Sequence, residues 1–239
     1  MKRILSGLFV LVFSLAACAP AAAPTADAPA AISVPVQATI SSPTTTAGQA
    51  SIPASAASLA GKVAFKIVPN ESKVSYEVTE TLFNQNNKIN VAVGVTQIIN
   101  GEIDADKTNP ATTSMGPITI DVSKFVSDNG QRDRMIQRNY LESSKYPIAT
   151  FVTKNITGLP AAYTDGSDYS FQVSGDLNVH NATQPVTFQV TAKLVGDTLS
   201  GSATTQVLMS QFGIGPISML GILQTQDQVK ITLDFVARP

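Results

Sequence analysis

Few residues in this 239-residue chain could do chemistry, and their spacing narrows what kind. His180 is the one histidine and Cys18 the one cysteine. Protein-bound zinc wants several such ligands, so no metal site is expected. His180 is also the one general base of the usual kind. The alternation around it gives it the parity of Asp176 and Asn178, which predicts a solvated residue at a strand end rather than a catalytic one. Glu77 and Glu80 differ in parity along one strand, so they cannot face each other as an acid–base pair. Neither a GxSxG elbow nor a phosphate-binding P-loop occurs. Arg132, Asp133, Arg134 and Arg138 cluster with Asp128, and the Asp128–Arg132 spacing suits an i,i+4 pair worth roughly 0.3 kcal/mol. That cluster reads either as a solvated charged face or as a polar rim for a phosphate or hydroxyl headgroup. No catalytic set emerges, and no cofactor is implied.

The elements that must position these residues are strands. From Phe171 to Leu194, apolar residues alternate twice: Phe171, Val173, Gly175, Leu177 and Val179, then Val186, Phe188, Val190, Ala192 and Leu194. A period of two puts each set on one face, so the stretch reads as an antiparallel pair with one wet face, turning over His180 to Pro185. Its dry face meets either a packed core or a ligand.

The same alternation recurs along the chain. Val63, Phe65 and Ile67 precede a Pro69-Asn70 turn, and Val74, Tyr76 and Val78 follow it. Ile89, Val91, Val93 and Val95 run on toward Ile99 and an expected turn at Asn100-Gly101. Asp104 to Pro110 reads as a polar loop, and Ile118, Ile120 and Val122 as a strand. Ser127 to Leu141 is the one helical candidate, with Ser127 or Asp128 as cap. Ile148 to Ile156 is apolar on both parities, which suggests cover on both sides. Gly196-Asp197 suits a primed hairpin turn. Leu199 to Met209 continues one face, and Val229 to Ala237 closes the chain. About eight mostly antiparallel strands with one short helix fit an all-β barrel or a sandwich.

The N-terminus reads differently. Lys2 and Arg3 precede an apolar run, Ile4 to Leu15, that is too short to span a bilayer and has the form of an export signal. It ends in Leu15-Ala16-Ala17-Cys18, which looks like a bacterial lipobox, with Cys18 as the lipidated first mature residue. Residues 1–18 are therefore expected to be a lipoprotein signal peptide. From 19 to 60 the composition falls to Ala, Pro, Ser and Thr with Asp27 the sole charge, a disordered tether spanning roughly 35 Å on average. The folded domain is expected over 61–239. These features predict an exported cell-envelope lipoprotein, on the periplasmic or extracellular face of a membrane. Without Lys2 and Arg3, 14 basic residues stand against 17 acidic ones, so nothing points to nucleic acid.

Phe212 to Leu223, FGIGPISMLGIL, is apolar on every side and long for a hairpin loop. It is either a plug that packs one end of the fold or a greasy lip at a ligand portal. There is no Trp, and the inward positions lean on small residues, which leave an eight-stranded barrel room for one ligand or fill it closely.

Several motifs together resemble a known family. Gly175-Asp176-Leu177, then His180, Thr183, Pro185 and Val186, is similar to the signature of the YceI-like, polyisoprenoid-binding family. Pro69-x-x-Ser72-x-Val74, the Arg134-to-Phe151 stretch with Tyr146-Pro147, and Phe212-Gly213-Ile214 fit in order, so the resemblance covers Lys62 to Arg238. It implies an antiparallel eight-stranded lipocalin-like barrel round an apolar tunnel that holds an isoprenoid or other long-chain amphiphile, without catalytic residues. The tunnel candidates are Phe65, Ile67, Val74, Tyr76, Val78, Val91, Val93, Phe171, Val173, Leu177, Val179, Val186, Phe188, Val190, Val207, Phe212 and Ile214. Asn181 stands where the family usually has Gly, and Val68, Glu71 and Glu80 where many members carry Asp, His and His. The leading expectation is a lipid-anchored binding, transport or storage protein. The second is an extracytoplasmic structural or interaction module with a filled barrel, and the third an enzyme built on Glu77, Glu80 and the Arg cluster.

Overall fold

The computed structural model describes residues 61–239. The expected signal segment, the expected lipidation site Cys18 and the expected tether fall outside the described residues. Thirteen strand segments form one sheet; twelve of them group into eight continuous runs, and the other, Ser218–Met219, folds back onto the start of the last run. β1 is Lys62–Ile67 and Lys73–Leu82, interrupted by a 3-10 turn at Pro69–Glu71. β2 is Lys88–Thr96, Ile99–Asn100 and Glu102–Asp106, and β3 is Ser114–Met115 and Ile118–Asp121. β4 (Ile148–Thr157), β5 (Asp168–Val179), β6 (Ala182–Val195), β7 (Thr198–Leu208) and β8 (Leu223–Arg238) follow. Each run pairs antiparallel with the next, and β8 pairs back onto β1. This is an up-and-down barrel of eight strands whose ring closes where the last run pairs with the first, although Lys88–Gly94 and Val152–Thr157 are paired along one side only.

The interruptions explain where the chain departs from the turns expected of it. Asn100-Gly101 does not reverse the chain. The Ile67 N–H donates to the Gly101 carbonyl at 3.0 Å, and pairing resumes with Lys66 opposite Glu102. The strand Glu102–Asp106 therefore takes in Asp104 to Asp106, the start of the expected Asp104–Pro110 loop. The β5–β6 reversal is tighter than the expected His180–Pro185 loop. Only His180 and Asn181 turn, at φ 51° and 61°, and Pro185 lies inside β6 opposite Asp176. A two-residue primed turn needs two positive φ values, and Asn tolerates that region better than most residues, so it serves where the family has Gly.

β4 is buried on one side only. Ala149 and Phe151 face inward, while Ile148 and Val152 are exposed, so its apolar residues on both parities do not mark cover on both sides. The helical candidate is shorter than its sequence span. α1 covers Gly130–Met135 and runs into a π turn, Ile136–Tyr140. Asn129 is the cap, and its side-chain oxygen accepts from the N–H groups of Gln131 and Arg132.

The core is the barrel interior: Phe65, Ile99, Phe151, Val173, Leu177, Val190 and Phe235 belong to one cluster of buried side chains. The connections sort by end. β1–β2, the α1 segment between β3 and β4, the His180 turn and the long β7–β8 connection lie at one end. The β2–β3, β4–β5 and β6–β7 connections lie at the other.

Candidate ligand tunnel

Inward side chains do not fill this barrel. They line one cavity of about 300 Å³ whose wall draws on both ends of the strands, and that size is within the range of ligand pockets. Its middle is Val74, Phe151, Val173, Leu177, Phe188, Val190, Ala203 and Leu233. Polar side chains on the wall are few: Ser75 and Tyr76, with Asp106, Lys107, Thr113, Tyr163 and Tyr169 at the end opposite α1.

At the α1 end, Val122, Phe125, Ile136 and Leu141 reach the cavity from the segment between β3 and β4. Polar contacts within that segment brace it, and one ties it to the barrel wall. Gln137 Nε2 donates to the Phe125 carbonyl at 3.1 Å, and Ser127 donates from N and Oγ to the Asp133 carboxylate. The main anchor is Glu80. Its Oε1 accepts from Arg132 Nη2 at 2.8 Å and from Asn90 Nδ2 at 2.7 Å, while Arg132 also pairs with Asp128. The Glu80 and Arg132 side chains are 3% and 14% exposed. A carboxylate so placed must be paired to be tolerated.

The expected i,i+4 pair is thus present, and the sequence reading missed its larger role. A signal was available: Val74, Tyr76, Val78 and Glu80 share one parity, so a charge on that face needs a cation brought by another element. Glu77 points the other way, to Lys230 at 3.3 Å. Glu71 forks onto Arg238 on the outer surface.

Tyr76 packs edge-on against Phe125 with ring centroids 5.2 Å apart. Burial, reinforced by the Asp133 carboxylate, pushes its phenol up to about 12. The ring crosses Gly94, where a Cβ would overlap it. That close approach overturns two expected tunnel residues. Gly94 has to face inward, and with it come Ala92, Thr96 and Asn90, the partner of Glu80. Val91 and Val93, of opposite parity, are 52% and 40% exposed on the outer surface.

The other candidates face inward. Ile67, Val74, Tyr76, Val78, Phe171, Val173, Leu177, Val179, Phe188, Val190, Val207, Phe212 and Ile214 all stand on the cavity wall. Phe65 and Val186 are buried in the core, but other side chains separate them from the open space.

His180 is packed rather than solvated. Its ring meets Tyr146 edge-on at 5.1 Å, Nδ1 lies 3.3 Å from the Phe212 carbonyl, and Nε2 lies 3.6 Å from Glu142. It ties three connections together at the α1 end. The 212–223 stretch is plug and lip at once. Phe212, Ile214 and Ile217 line the cavity, with Ile217 held by Thr225 through both backbone groups, whereas Leu220 is fully exposed and Ile222 is 42% exposed.

At the opposite end Lys107 Nζ donates to the Gly196 carbonyl and to Asp197, and lies 5.9 Å from the centre of the Phe65 ring. The Tyr163 hydroxyl is 2.7 Å from Asp165 and 2.9 Å from the Leu194 carbonyl. Burial and that carboxylate hold its phenol above the ordinary range. Among the described residues no three His, Cys, Asp or Glu side chains come together as a metal site.

A closed eight-stranded barrel around an apolar tunnel defines a lipocalin-like protein. This chain belongs to the YceI-like domain family, whose model matches residues 65–237. Protein YceI of Escherichia coli O17:K52:H18 is 30% identical over 104 residues, which is 43% of this chain and 49% of that protein. A UPF0312 protein of Pseudomonas putida F1 is 29% identical over 131 residues, 52% of this chain and 64% of that protein. The chain therefore spans about half the length of the first relative and under two thirds of the second. Among solved structures, Burkholderia cenocepacia BcnA superposes with TM-score 0.54 at 24% identity, covering 71% of this chain and 98% of that one. A polyisoprenoid binding domain from Saccharophagus degradans superposes with TM-score 0.54 at 10% identity, covering 73% and 97%. At these identities the likeness is one of fold.

Proposed function

We propose that this protein binds an isoprenoid or similar long-chain amphiphile inside the barrel, and carries or stores it at a membrane to which a lipidated Cys18 tethers it. The observation that carries the reading is the tunnel itself, about 300 Å³ of space walled by aliphatic and aromatic side chains from nearly every strand. An apolar chain placed there leaves water at about 0.8 kcal/mol per methylene, which ten methylenes turn into tight binding before ordering costs are subtracted. The Saccharophagus domain with the same fold is described as polyisoprenoid binding, which supports the ligand class. On this reading the protein works by binding and release rather than turnover. His180 and Glu80, the groups that an acid–base reaction would use, are engaged in holding the α1 end together.

Native mass spectrometry after mild extraction tests the proposal. The expected result is a lipid-sized mass that leaves on collisional activation, while a covalent lipid mass on Cys18 remains. A protein that is uniformly empty, and that takes up no isoprenoid when offered one, would overturn it.

A further inference from the structure

The two ends of the barrel differ in surface as well as in loops. At the α1 end, exposed apolar side chains are gathered on neighbouring connections. Phe83 is 41% exposed, Ile222 is 42% exposed and Leu220 fully so. The Phe83 N–H donates to the Ile222 carbonyl at 2.8 Å, which sets the β1–β2 and β7–β8 tips side by side. Ile89, 63% exposed, is one residue beyond Lys88 on the same hairpin. Leaving large apolar groups in water at a loop tip is unfavourable unless something covers them.

The charge at this end points to what covers them. The connection between β3 and β4 carries Lys124, Arg132, Arg134, Arg138 and Lys145 against Asp128, Asp133 and Glu142, with Lys88 beside it at the start of β2. The three carboxylates are engaged: Asp128 with Arg132, Asp133 with Ser127, and Glu142 near His180. Lys88, Lys124, Arg134 and Arg138 are exposed, and among the described residues none of them pairs with a carboxylate. The connections at the opposite end carry Lys107 against Asp165 and Asp197. One end therefore combines a greasy tip with free cations, and the other has neither in excess.

We infer that the α1 end is a docking surface for an anionic lipid bilayer, with Phe83, Leu220 and Ile222 entering the interface while Lys88, Lys124, Arg134 and Arg138 meet lipid phosphates. Apolar side chains flanked by cations bind such a surface by both burial and charge, each cation near it being worth about fivefold in partitioning. The surface is continuous with the tunnel, because the connection that bears Leu220 and Ile222 also supplies Ile214 and Ile217 to its wall. The proposal does not depend on the tunnel's occupant, and its test reads residues outside the cavity.

The chain has no tryptophan, so a single introduced one is a clean reporter. Full-length L220W is mixed with phosphatidylglycerol/phosphatidylcholine vesicles and with pure phosphatidylcholine vesicles, and A161W on the β4–β5 connection serves as the opposite-end control. With anionic vesicles, L220W emission should shift to the blue and become protected from an aqueous quencher, whereas A161W should do neither. The shift should weaken with salt and with neutral vesicles, and R134E/R138E should reduce partitioning of the reporter by tenfold or more. Because the reporter senses its own depth, an N-terminal anchor alone cannot produce this pattern. An unshifted L220W on anionic vesicles would overturn the inference. So would equal shifts at both ends that ignore the charge reversal.

Discussion

At the scale of single residues, burial sets what Tyr76 can do. Its phenol sits between the tunnel and the α1 segment, and charging it there would put an anion beside Asp133 in a poorly solvated place. The folded-state value, about 12, lies above the ordinary value near 10, so both states are protonated at lower pH and the neutral phenol's contribution is intact. As pH rises from 10 toward 12 the unfolded chain ionises first, and stability is lost by roughly 2–3 kcal/mol. Urea melts of Y76F across pH 9–12 should therefore fall less steeply than those of the parent, with Tyr163 still contributing its share to both. Superimposable profiles would show that Tyr76 is not held neutral by the fold. Much of this was legible at the residue level: the inward parity of Val74, Tyr76 and Val78 is plain in the alternation. The charge that acts on Tyr76 was not, because Asp133 is 57 positions further along the chain.

At the scale of elements, the α1 segment illustrates how little local sequence secures it. Six helical residues and a π turn are too short to be stable alone, so tertiary contacts hold them. Glu80 and Arg132 supply the strongest. Replacing Arg132 by alanine leaves a buried carboxylate with Asn90 as its remaining partner, a loss of about 3 kcal/mol or more. R132A should melt lower than the parent, and amide exchange should rise across residues 122–147 before it rises in β5 and β6. E80M/R132M, which removes both charges together, should recover much of that loss. If R132A matched the parent in both measurements, the pair would not be what holds the segment. The helix was visible in the sequence as a charged stretch with a partial apolar stripe. Its attachment was not, since a salt bridge across 52 residues has no local signature. The β5–β6 hairpin is the opposite case. Its two strands alternate so regularly that parity, pairing and turn could nearly all be read directly, and only the length of the turn and the packing of His180 were misjudged.

At the scale of the whole molecule, the question is whether the barrel interior is space or core. Ala203 and Val190 pair across β6 and β7, and both stand on the tunnel wall. A phenylalanine at either position projects into that space. A203F should keep its melting temperature within a few degrees of the parent and lose the retained lipid in native spectra. In a filled barrel the same change overpacks the interior, at a cost of about 1–3 kcal/mol. A203F that unfolds early, with no lipid in the parent either, would identify the interior as core.

The sequence by itself determined what depends on short range: the antiparallel strands and their approximate number, the apolar parity of β1, β5, β6 and β7, and the family motif round His180. It could not determine which side of β2 faces inward. Ile89, Val91, Val93 and Val95 form the more apolar parity, and read locally they belong inside. Closing the barrel brings the Tyr76 ring and the Glu80 carboxylate against this strand, and only the parity carrying Gly94 and Asn90 can receive them. The open tunnel was decided in the same way. The alternation of each strand says which side chains turn inward, but whether they meet across the middle depends on how many strands close the ring and how far apart their inner faces then stand.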